Sequence, residues 1–489
     1  MDRLGGLDTA FLYCETPGMH MHACGLVLLD PGPMRSDEVY ERIRALLLGA
    51  MPNVPLMGKR PAAPPLGIGR PFWVDDVDFD LDHHLHRIHL RRPGDHRALA
   101  DLVGQIASVP LHHDRPLWEV WLVEGLADGR LALLAKIHHA AIDGIAAIGI
   151  MGQLFDLEPE SSSSRSRAVA WLPERRPGQL RMLGGALGDL LSAPFGLARL
   201  LPATALRVGS TAIRFRSGGR DRSKQAAPFR APRASFNATV TASRSVAFRD
   251  VSMTDVKRVK EAYGVKVNDV LTAIVGGALR RYLAGRGELP DRSLIAAEPV
   301  SVHDRGVGLA GATRLSVMFS TLATDVADPV ARLRTIAAAN VRSKGVTDAV
   351  GADTLMHWSQ YVWPLGYALG ARLYAWLRLA DRHPVVHNLL VSNVPGPPVA
   401  LYLAGARATG IYPFGPIFDG AGLNVTAMSS GDHVGFGVIA CPDLVPDVWQ
   451  IADALPLALD ELVESSARGV RRRAAAPKGP TSAARSSGH

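Results

Sequence analysis

A basic stretch rich in serine and proline, residues 161–232, divides this chain of 489 residues into two parts. Its beginning, EPESSSSRSRAVAWLPERRPGQ from Glu158 onward, has no sustained apolar period and cannot bury a core of its own. Residues 160–230 hold 13 Arg or Lys against 4 acids, and residues 466–489 hold 6 against none. The net charges of these two segments, +9 and +6, add up to more than the total of +8. The remaining chain therefore has a net charge of −7 and is not basic.

Each part outside this stretch mixes strand-like and helix-like runs. The first contains HACGLVLLD, RLALLAKIHHA and DEVYERIRALLLGAM, and the second contains SLIAAEPVSV, RLSVMFSTLAT and VNDVLTAIVGGALRRYLAGRG. A chain of 489 residues suits two domains of about 150–230 residues each. We therefore expect an α/β fold with two sheet-containing lobes, 1–160 and 233–465, joined by a linker, 161–232, and followed by a disordered basic tail, 466–489.

Apolar residues at helical spacing recur inside the linker, between Leu180 and Arg216. The longest uncharged run there, Leu190 to Ala198, has 9 residues and is shorter than the ~20 needed to cross a bilayer. Two interpretations stay open: helices that pack their apolar face on the body, which is the commoner case, or helices that lie on an anionic lipid surface. We expect no nucleic-acid partner, because no basic motif interleaved with aromatic residues is present.

The cysteines indicate a reducing compartment. Cys14, Cys24 and Cys441 are scattered, odd in number and without Cys-x-x-Cys spacing, so neither a disulfide framework nor a zinc site is expected. The N-terminus lacks the basic region and clean apolar core of a signal peptide. We therefore expect a cytoplasmic protein.

A polar cluster, HHAAIDG, stands between a strand-like run, LALLAKI, and a helix-like run, GIAAIGIMGQLFDL. A strand-to-helix junction commonly presents catalytic side chains. His139 and Asp143 are four residues apart, so on a helical turn the carboxylate can fix the imidazole tautomer or anchor the loop to an arginine, and Gly144 permits a turn closed to other residues. Spacing alone leaves two interpretations of His139: a general base, or the commoner satisfied structural histidine.

Four further polar residues are candidates for binding substrate. Asn268 begins an apolar helical run beside Asp269, which suits a helix cap as well as a role in shaping a site. Ser392 and Asn393 in SNVPGPP, and Asn424 in GLNVT, can offer side-chain hydrogen bonds near a developing oxyanion.

Other sequence features indicate no further chemistry. His83, His84, His86 and His89 alternate between the two faces of a predicted strand and do not converge on a metal. His112 and His113 lack the glycine and spacing of the main motif and are interpreted as loop. No Gly-x-Ser-x-Gly elbow or Walker motif occurs, and GVGLAG at residues 306–311 leads into a strand instead of a helix.

HHAAIDG matches the His-His-x-x-x-Asp-Gly signature of coenzyme A-dependent acyltransferases. Further matches stand in order along the chain: MDRLGGLDTAFLYCETPGMHMHACGL, RPLWEVWLVEGL, VNDVLTAIVGGALRRYL, VSNVPGP and GAGLNVTAMS. Together they resemble the bacterial wax ester synthase/acyl-CoA:diacylglycerol acyltransferase family, of the actinobacterial triacylglycerol synthase kind. The resemblance covers most of the chain apart from the linker and tail.

The resemblance implies a two-lobed fold like that of chloramphenicol acetyltransferase, with mixed sheets and a tunnel at the lobe interface. It implies transfer of a long-chain acyl group from acyl-CoA to diacylglycerol or a long-chain alcohol. His139 would be the general base, Asp143 an ion-pair anchor of the loop, Gly144 its turn and His138 a neighbour. Acyl-CoA is then a co-substrate, no cofactor or metal is expected, and contact with a membrane or lipid-droplet surface fits the substrates.

The sequence also departs from the family pattern. Ala312 follows Gly311 where a Gly-Asn pair is common, His303 stands where arginine is frequent, and Gly5 to Leu7 replace Leu-Ser-Pro. Two alternative functions remain open at this point. One is a non-catalytic lipid-surface protein on the same fold, and the other is an acyltransferase that uses a carrier-protein thioester or another alcohol.

Overall fold

The structure is a computed structural model that describes residues 2–67, 69–141, 152–159, 226–301, 315–350, 360–361 and 364–475, with a few separate positions between 178 and 200. Most of the predicted linker, and the family departures at His303 and Ala312, lie outside the described residues.

The helices and strands are as follows. The helices are α1 (Gly6–Tyr13), α2 (Ser36–Ala50), α3 (His96–Ala107), α4 (Met253–Tyr263), α5 (Val267–Gly285), α6 (Pro329–Val350), α7 (Pro364–Trp376) and α8 (Trp449–Ala475). The strands are β1 (Asp2–Arg3), β2 (His22–Asp30), β3 (Lys59–Ala62), β4 (Phe72–Asp75), β5 (Leu85–His89), β6 (Trp118–Glu124), β7 (Leu131–His138), β8 (Phe155–Asp156), β9 (Ser245–Ser252), β10 (Ile295–Ser301), β11 (Leu315–Thr321), β12 (Leu389–Val394), β13 (Tyr402–Leu403), β14 (Ala406–Phe414), β15 (Leu423–Ser430) and β16 (His433–Ala440).

Two large sheets form the two lobes. Their strand orders are β5-β6-β7-β2-β14-β13-β8 in the first and β11-β10-β12-β15-β16-β9 in the second, and β1-β4-β3 form a small third sheet. Both large sheets are mixed, because β5 runs parallel to β6 and β12 runs parallel to β10 and β15. The predicted two-lobed α/β fold is confirmed; the interface tunnel stays a prediction.

β7 leads directly to the histidine motif and lies in the middle of its sheet. It follows Gly129, whose φ of +78° turns the chain where other residues would be strained. Leu131 to Leu134 are buried, and the strand pairs with β6 on one side and β2 on the other. Both edges of β7 are therefore hydrogen-bonded, which makes its C-terminal end a rigid support.

The predicted lobe boundary is wrong in one respect, because β14 lies within residues 233–465 but joins the sheet of the first lobe. It pairs antiparallel with β2, from Arg407 opposite Asp30 to Phe414 opposite Cys24. β2 would otherwise be an edge strand with exposed backbone donors and acceptors. The Tyr412 hydroxyl also reaches back to the second lobe and donates to the Asp250 carboxylate at 2.5 Å.

Two glycines of β16 let the second sheet approach the backbone of β14. A Cβ on Gly437 would lie 2.0 Å from the Pro413 carbonyl oxygen, and one on Gly435 would lie 2.2 Å from the Ile411 carbonyl oxygen. No side chain tolerates such distances, so these positions require glycine. β14 is thus bonded edge-on to one sheet and packed face-on against the other.

The predicted disordered tail begins too early. Helix α8 continues to Ala475, ten residues past the predicted boundary. Ser466, the first residue past that boundary, is still buried, and its hydroxyl donates to the Val463 carbonyl oxygen. Residues 476–489 lie outside the described part of the chain.

None of the helices in the described ranges is long and apolar enough to cross a membrane.

Replacing Gly437 with alanine should lower the free energy of unfolding by about 2 kcal/mol or more, because the new methyl group overlaps the Pro413 carbonyl oxygen. Gly25→Ala on β2 is the matched control, since a Cβ there meets nothing within 4 Å. The control should be neutral or slightly stabilising. Urea unfolding of the two variants measures the difference, and equal stability would contradict the close approach of the sheets.

Candidate active site

The histidine motif lies at the C-terminal end of β7. His138 is the last strand residue and pairs with His22 on β2. The backbone N–H of His139 donates to the Met21 carbonyl oxygen at 2.7 Å, which fixes the first residue beyond the strand. The Phe11 ring of α1 lies 5.4 Å from the His139 ring between centroids. Asp143 and Gly144 lie outside the described residues, so their predicted roles stay predictions.

His138 is fully buried and has a defined tautomer. Its Nδ1 accepts a hydrogen bond from the Ala140 backbone N–H at 3.0 Å, so the proton of the neutral ring must be on Nε2. That Nε2 lies 3.2 Å from Glu15 Oε1, although its N–H is poorly aligned with the oxygen for a hydrogen bond. With 0% of its side chain exposed, His138 cannot meet a substrate. Its role as a neighbour of the base, which the resemblance implies, stays a prediction.

Glu15 connects this histidine to two other segments. Its Oε1 accepts the Met21 backbone N–H at 2.9 Å, and its Oε2 lies 2.8 Å from His113 Nε2. Burial raises the pKa of Glu15, but the neighbouring imidazoles of His113 and His138 and the hydrogen bond from the Met21 backbone N–H outweigh it and hold that pKa well below its usual range. The carboxylate is therefore ionised at neutral pH. Because Met21 also holds His139, this one group positions both histidines of the motif.

Glu15, His113 and His138 also bring three possible metal-ligand atoms within 4.8 Å of one another. A metal bound to His138 Nε2 needs the ring proton on Nδ1, where it normally donates to a carbonyl or carboxylate. Here Nδ1 accepts a backbone N–H instead, which holds the opposite tautomer. The cluster therefore suits a hydrogen-bond network around a carboxylate, and the expectation of no metal stays a prediction.

Two more histidines lie beneath the motif and are neutral. His20 and His22 stack at 5.6 Å between ring centroids, and each side chain is 5% exposed. Burial, followed by the charge of Arg244, lowers the pKa of His20 to about 4. Burial, followed by the charge of Lys136, places the pKa of His22 well below its ordinary value. The surroundings of the motif thus disfavour additional positive charge.

The structure brings together two of the four predicted substrate-binding residues. The Asn393 side-chain amide donates to the side-chain oxygen Oδ1 of Asn268 at 3.3 Å. The side-chain Nδ2 of Asn268 donates to the carboxylate of buried Glu298 at 3.4 Å. Burial raises the pKa of Glu298. The helix-cap interpretation applies to Asp269, whose carboxylate accepts the Lys266 backbone N–H at 3.0 Å.

The other two candidates lie elsewhere. Ser392 adjoins Asn393 on β12, and successive strand residues face opposite sides of a sheet. Asn424 is buried, with its amide donating to the Pro416 carbonyl oxygen at 2.9 Å and its own oxygen accepting the Thr426 hydroxyl at 2.8 Å. Its side chain holds the connection between β14 and β15, which is a structural arrangement.

Sequence reasoning missed Glu15, and although it correctly placed His113 in a loop, it missed the contact between the two side chains. Glu15 is the only acid or Lys/Arg side chain between Asp8 and Asp30, and a lone acid in so apolar a stretch is a signal of a buried partner. His113 carried no such signal, because its partner comes from a distant part of the chain.

Glu15→Ala should lower the free energy of unfolding by about 2 kcal/mol or more, because it leaves the Met21 N–H without its acceptor and removes the carboxylate beside buried His138. Glu38→Ala is the control: its pair with Arg42 is solvent-exposed and contributes about 0.5 kcal/mol or less. Urea unfolding of both variants tests this. A Glu15 variant as stable as the control would contradict the network.

Stability should fall as the pH drops from about 6.5 toward 4, because the unfolded chain protonates His20 and His22 while the folded protein keeps them neutral. Each group contributes at most about 1.4 kcal/mol per pH unit in that window. His22→Gln retains a donor for the Ala107 carbonyl oxygen and should reduce the slope. His112→Gln, at an exposed position, should not. Urea unfolding across this pH range gives the slopes, and equal slopes in both variants would refute the assignment.

Two family models match the chain. The model described as the wax ester synthase/diacylglycerol acyltransferase catalytic domain covers residues 4–271, and the corresponding C-terminal domain covers residues 312–463. The first includes the histidine motif and Asn268, and the second includes Ser392, Asn393 and Asn424.

Named relatives and solved structures agree with these models. A putative diacylglycerol O-acyltransferase of Mycobacterium tuberculosis is 38% identical over 95% of this chain and 91% of its own length. A second one from that organism, described as probable, is 33% identical over 95% and 99%. The wax ester synthase/diacylglycerol acyltransferase of Marinobacter aquaeolei has a similar structure, with a TM-score of 0.68, 28% identity and coverage of 96% of this chain and 100% of that one.

A condensation domain of an antibiotic synthetase shares the fold alone, with a TM-score of 0.54 at 15% identity over 95% of this chain and 96% of that one. The family models, the relatives and the Marinobacter structure agree with the motif set: this chain belongs to the wax ester synthase/diacylglycerol acyltransferase family and is an acyltransferase.

Proposed function

We propose that this protein transfers a long-chain acyl group from acyl-CoA to the hydroxyl of diacylglycerol, with long-chain alcohols as a second class of acceptor. The observation that carries the proposal is the position of His139. It follows a strand hydrogen-bonded on both edges, and its backbone is held by Met21. A general base must be held in place to meet its proton, and this support supplies that.

His139 acts as the general base in this proposal. Its ring accepts the proton of the acceptor hydroxyl while that oxygen attacks the thioester carbonyl carbon. The C–O bond forms, the C–S bond breaks, and the imidazolium returns the proton to the coenzyme A thiolate. No acyl-enzyme intermediate or cofactor is required, and acyl-CoA is a co-substrate.

Other predicted residues have supporting roles in the proposal. Asp143 anchors the loop and Gly144 allows its turn, as the family motif implies. The paired amides of Asn268 and Asn393 are partly exposed and can donate to a substrate carbonyl. Ser392 is partly exposed too, whereas the internal hydrogen bonds of Asn424 support a structural role.

We also propose that the protein works in the cytoplasm at the surface of a membrane or lipid droplet. Diacylglycerol and long-chain alcohols partition into such surfaces, because each buried methylene gains about 0.8 kcal/mol. The three cysteines are free and buried, as expected in a reducing compartment.

His139→Ala should reduce acceptor-dependent release of coenzyme A from palmitoyl-CoA by about 10²- to 10⁴-fold, because general-base catalysis is lost. The acceptors are dioleoylglycerol and hexadecanol, each compared with a reaction without acceptor. His112→Ala, in an exposed loop, is the matched control and should keep its activity. Equal rates in the His139 variant and the wild type would refute the base. A folded wild type without acceptor-dependent release would refute the proposed reaction.

A further inference from the structure

Helix α7 exposes an unusual amount of apolar surface. Five of the sixteen large apolar side chains that are exposed in the described part of the chain lie on these 13 residues. They are Leu365, Tyr367, Leu369, Leu373 and Trp376, and Trp376 is the most exposed at 77%. Scattered exposed apolar residues are normal, but a cluster marks an interaction surface.

Four of these residues share one side of the helix. Leu365, Leu369, Leu373 and Trp376 follow one another at spacings of four, four and three residues, which places them in one stripe. On the other side, the Tyr374 hydroxyl lies 2.5 Å from His383 Nε2 of the protein body. In most helices on the surface of a globular protein the apolar stripe faces the core and the polar side faces water. Helix α7 is turned the other way.

The stripe lies close to the candidate active site. α7 packs against α1, and α1 carries Phe11, whose ring faces His139. Leu365, at the N-terminal end of the stripe, lies within about a van der Waals contact of Gly67. A surface that covers the stripe is therefore separated from His139 by α7 and α1.

The charges around the stripe are mainly positive. Exposed Arg372 lies on the apolar side itself, one residue before Leu373. Residues 364–383 contain three arginines and a single acid, Asp381, a net charge of +2. Arg378 pairs with that acid at 2.8 Å, so Arg372 remains as a cation within the stripe. Leucines and an exposed tryptophan on one side of a helix, with an arginine beside them, suit the headgroup region of an anionic bilayer.

We propose that α7 docks the protein on an anionic phospholipid surface, with the Leu365–Leu369–Leu373–Trp376 stripe in the headgroup region and Arg372 at the phosphates. The proposal rests on the proposed function, because it brings the phase that holds the acceptor lipid to α7, which packs on α1, the helix that contacts His139. It assigns this contact to α7, whereas the sequence analysis offered a lipid contact only as one of two open interpretations of residues 180–216.

Co-sedimentation with vesicles tests the docking. The full chain is mixed with phosphatidylcholine vesicles that contain or lack phosphatidylglycerol. Leu369→Gln/Trp376→Gln should lower the partition coefficient by about a hundredfold, because two apolar side chains no longer enter the bilayer. Arg372→Gln should lower it about fivefold on the anionic vesicles alone. Leu48→Gln/Leu157→Gln is the control, because those leucines are 43% and 67% exposed on other surfaces.

Three outcomes would overturn the docking: a wild type that does not sediment with vesicles, a double variant that sediments as well as the control, or a wild-type dimer that the double substitution dissociates while vesicle binding persists. The last result would assign the stripe to a second copy of the chain.

Activity separates this proposal from the proposed function. The double variant should lose transfer to dioleoylglycerol in vesicles in parallel with binding, but keep transfer from octanoyl-CoA to dissolved hexanol. Equal loss on both acceptors would refute a docking role. Absence of all transfer in the wild type would refute the reaction, and sedimentation would still decide whether α7 binds lipid.

Discussion

The pairing of β14 with β2 is the constraint on which the two-lobed structure depends. β14 comes from the C-terminal part of the chain, yet it is hydrogen-bonded in the first sheet and packed against Gly435 and Gly437 of the second. β2 in turn pairs with β7 and begins beside Met21, whose carbonyl oxygen holds His139. The position of the catalytic candidate relative to the second lobe is therefore set by backbone contacts, which tolerate little movement.

Glu15 adds side-chain control to this backbone frame. An ionised carboxylate is costly to bury unless several donors satisfy it. Here the Met21 amide donates to the carboxylate, and the imidazoles of His113 and His138 lie against it, so the same contacts that stabilise the charge also fix the segments that carry His139. The rigidity of the site thus comes from residues that do not touch the reacting atoms, a common feature of catalytic centres.

The sequence predicted the features of the site that depend on neighbouring residues. The apolar run before His138 forms the buried strand, and the motif lies where that strand ends. The pairing of β14 with the sheet of the first lobe was not predictable, because the residues of a strand do not indicate which distant strand it pairs with. The same holds for the contact between Glu15 and His113. The extension of α8 to Ala475 shows another limit, since a basic, alanine-rich composition suits both a disordered tail and the end of a helix.

Helix α7 shows why an apolar stripe does not by itself determine burial. Its spacing of leucines predicts a face that avoids water, and a folded protein normally supplies the cover. Helix α7 instead packs against α1, and the Tyr374 hydroxyl lies 2.5 Å from His383 Nε2. The leucines and Trp376 are left exposed. Hiding them inside would turn the tyrosine hydroxyl outward and separate α7 from α1, the helix that contacts His139. An anionic lipid surface would cover the apolar stripe and leave the contacts of α7 with α1 and His383 in place. Arg372 beside the stripe favours such a surface.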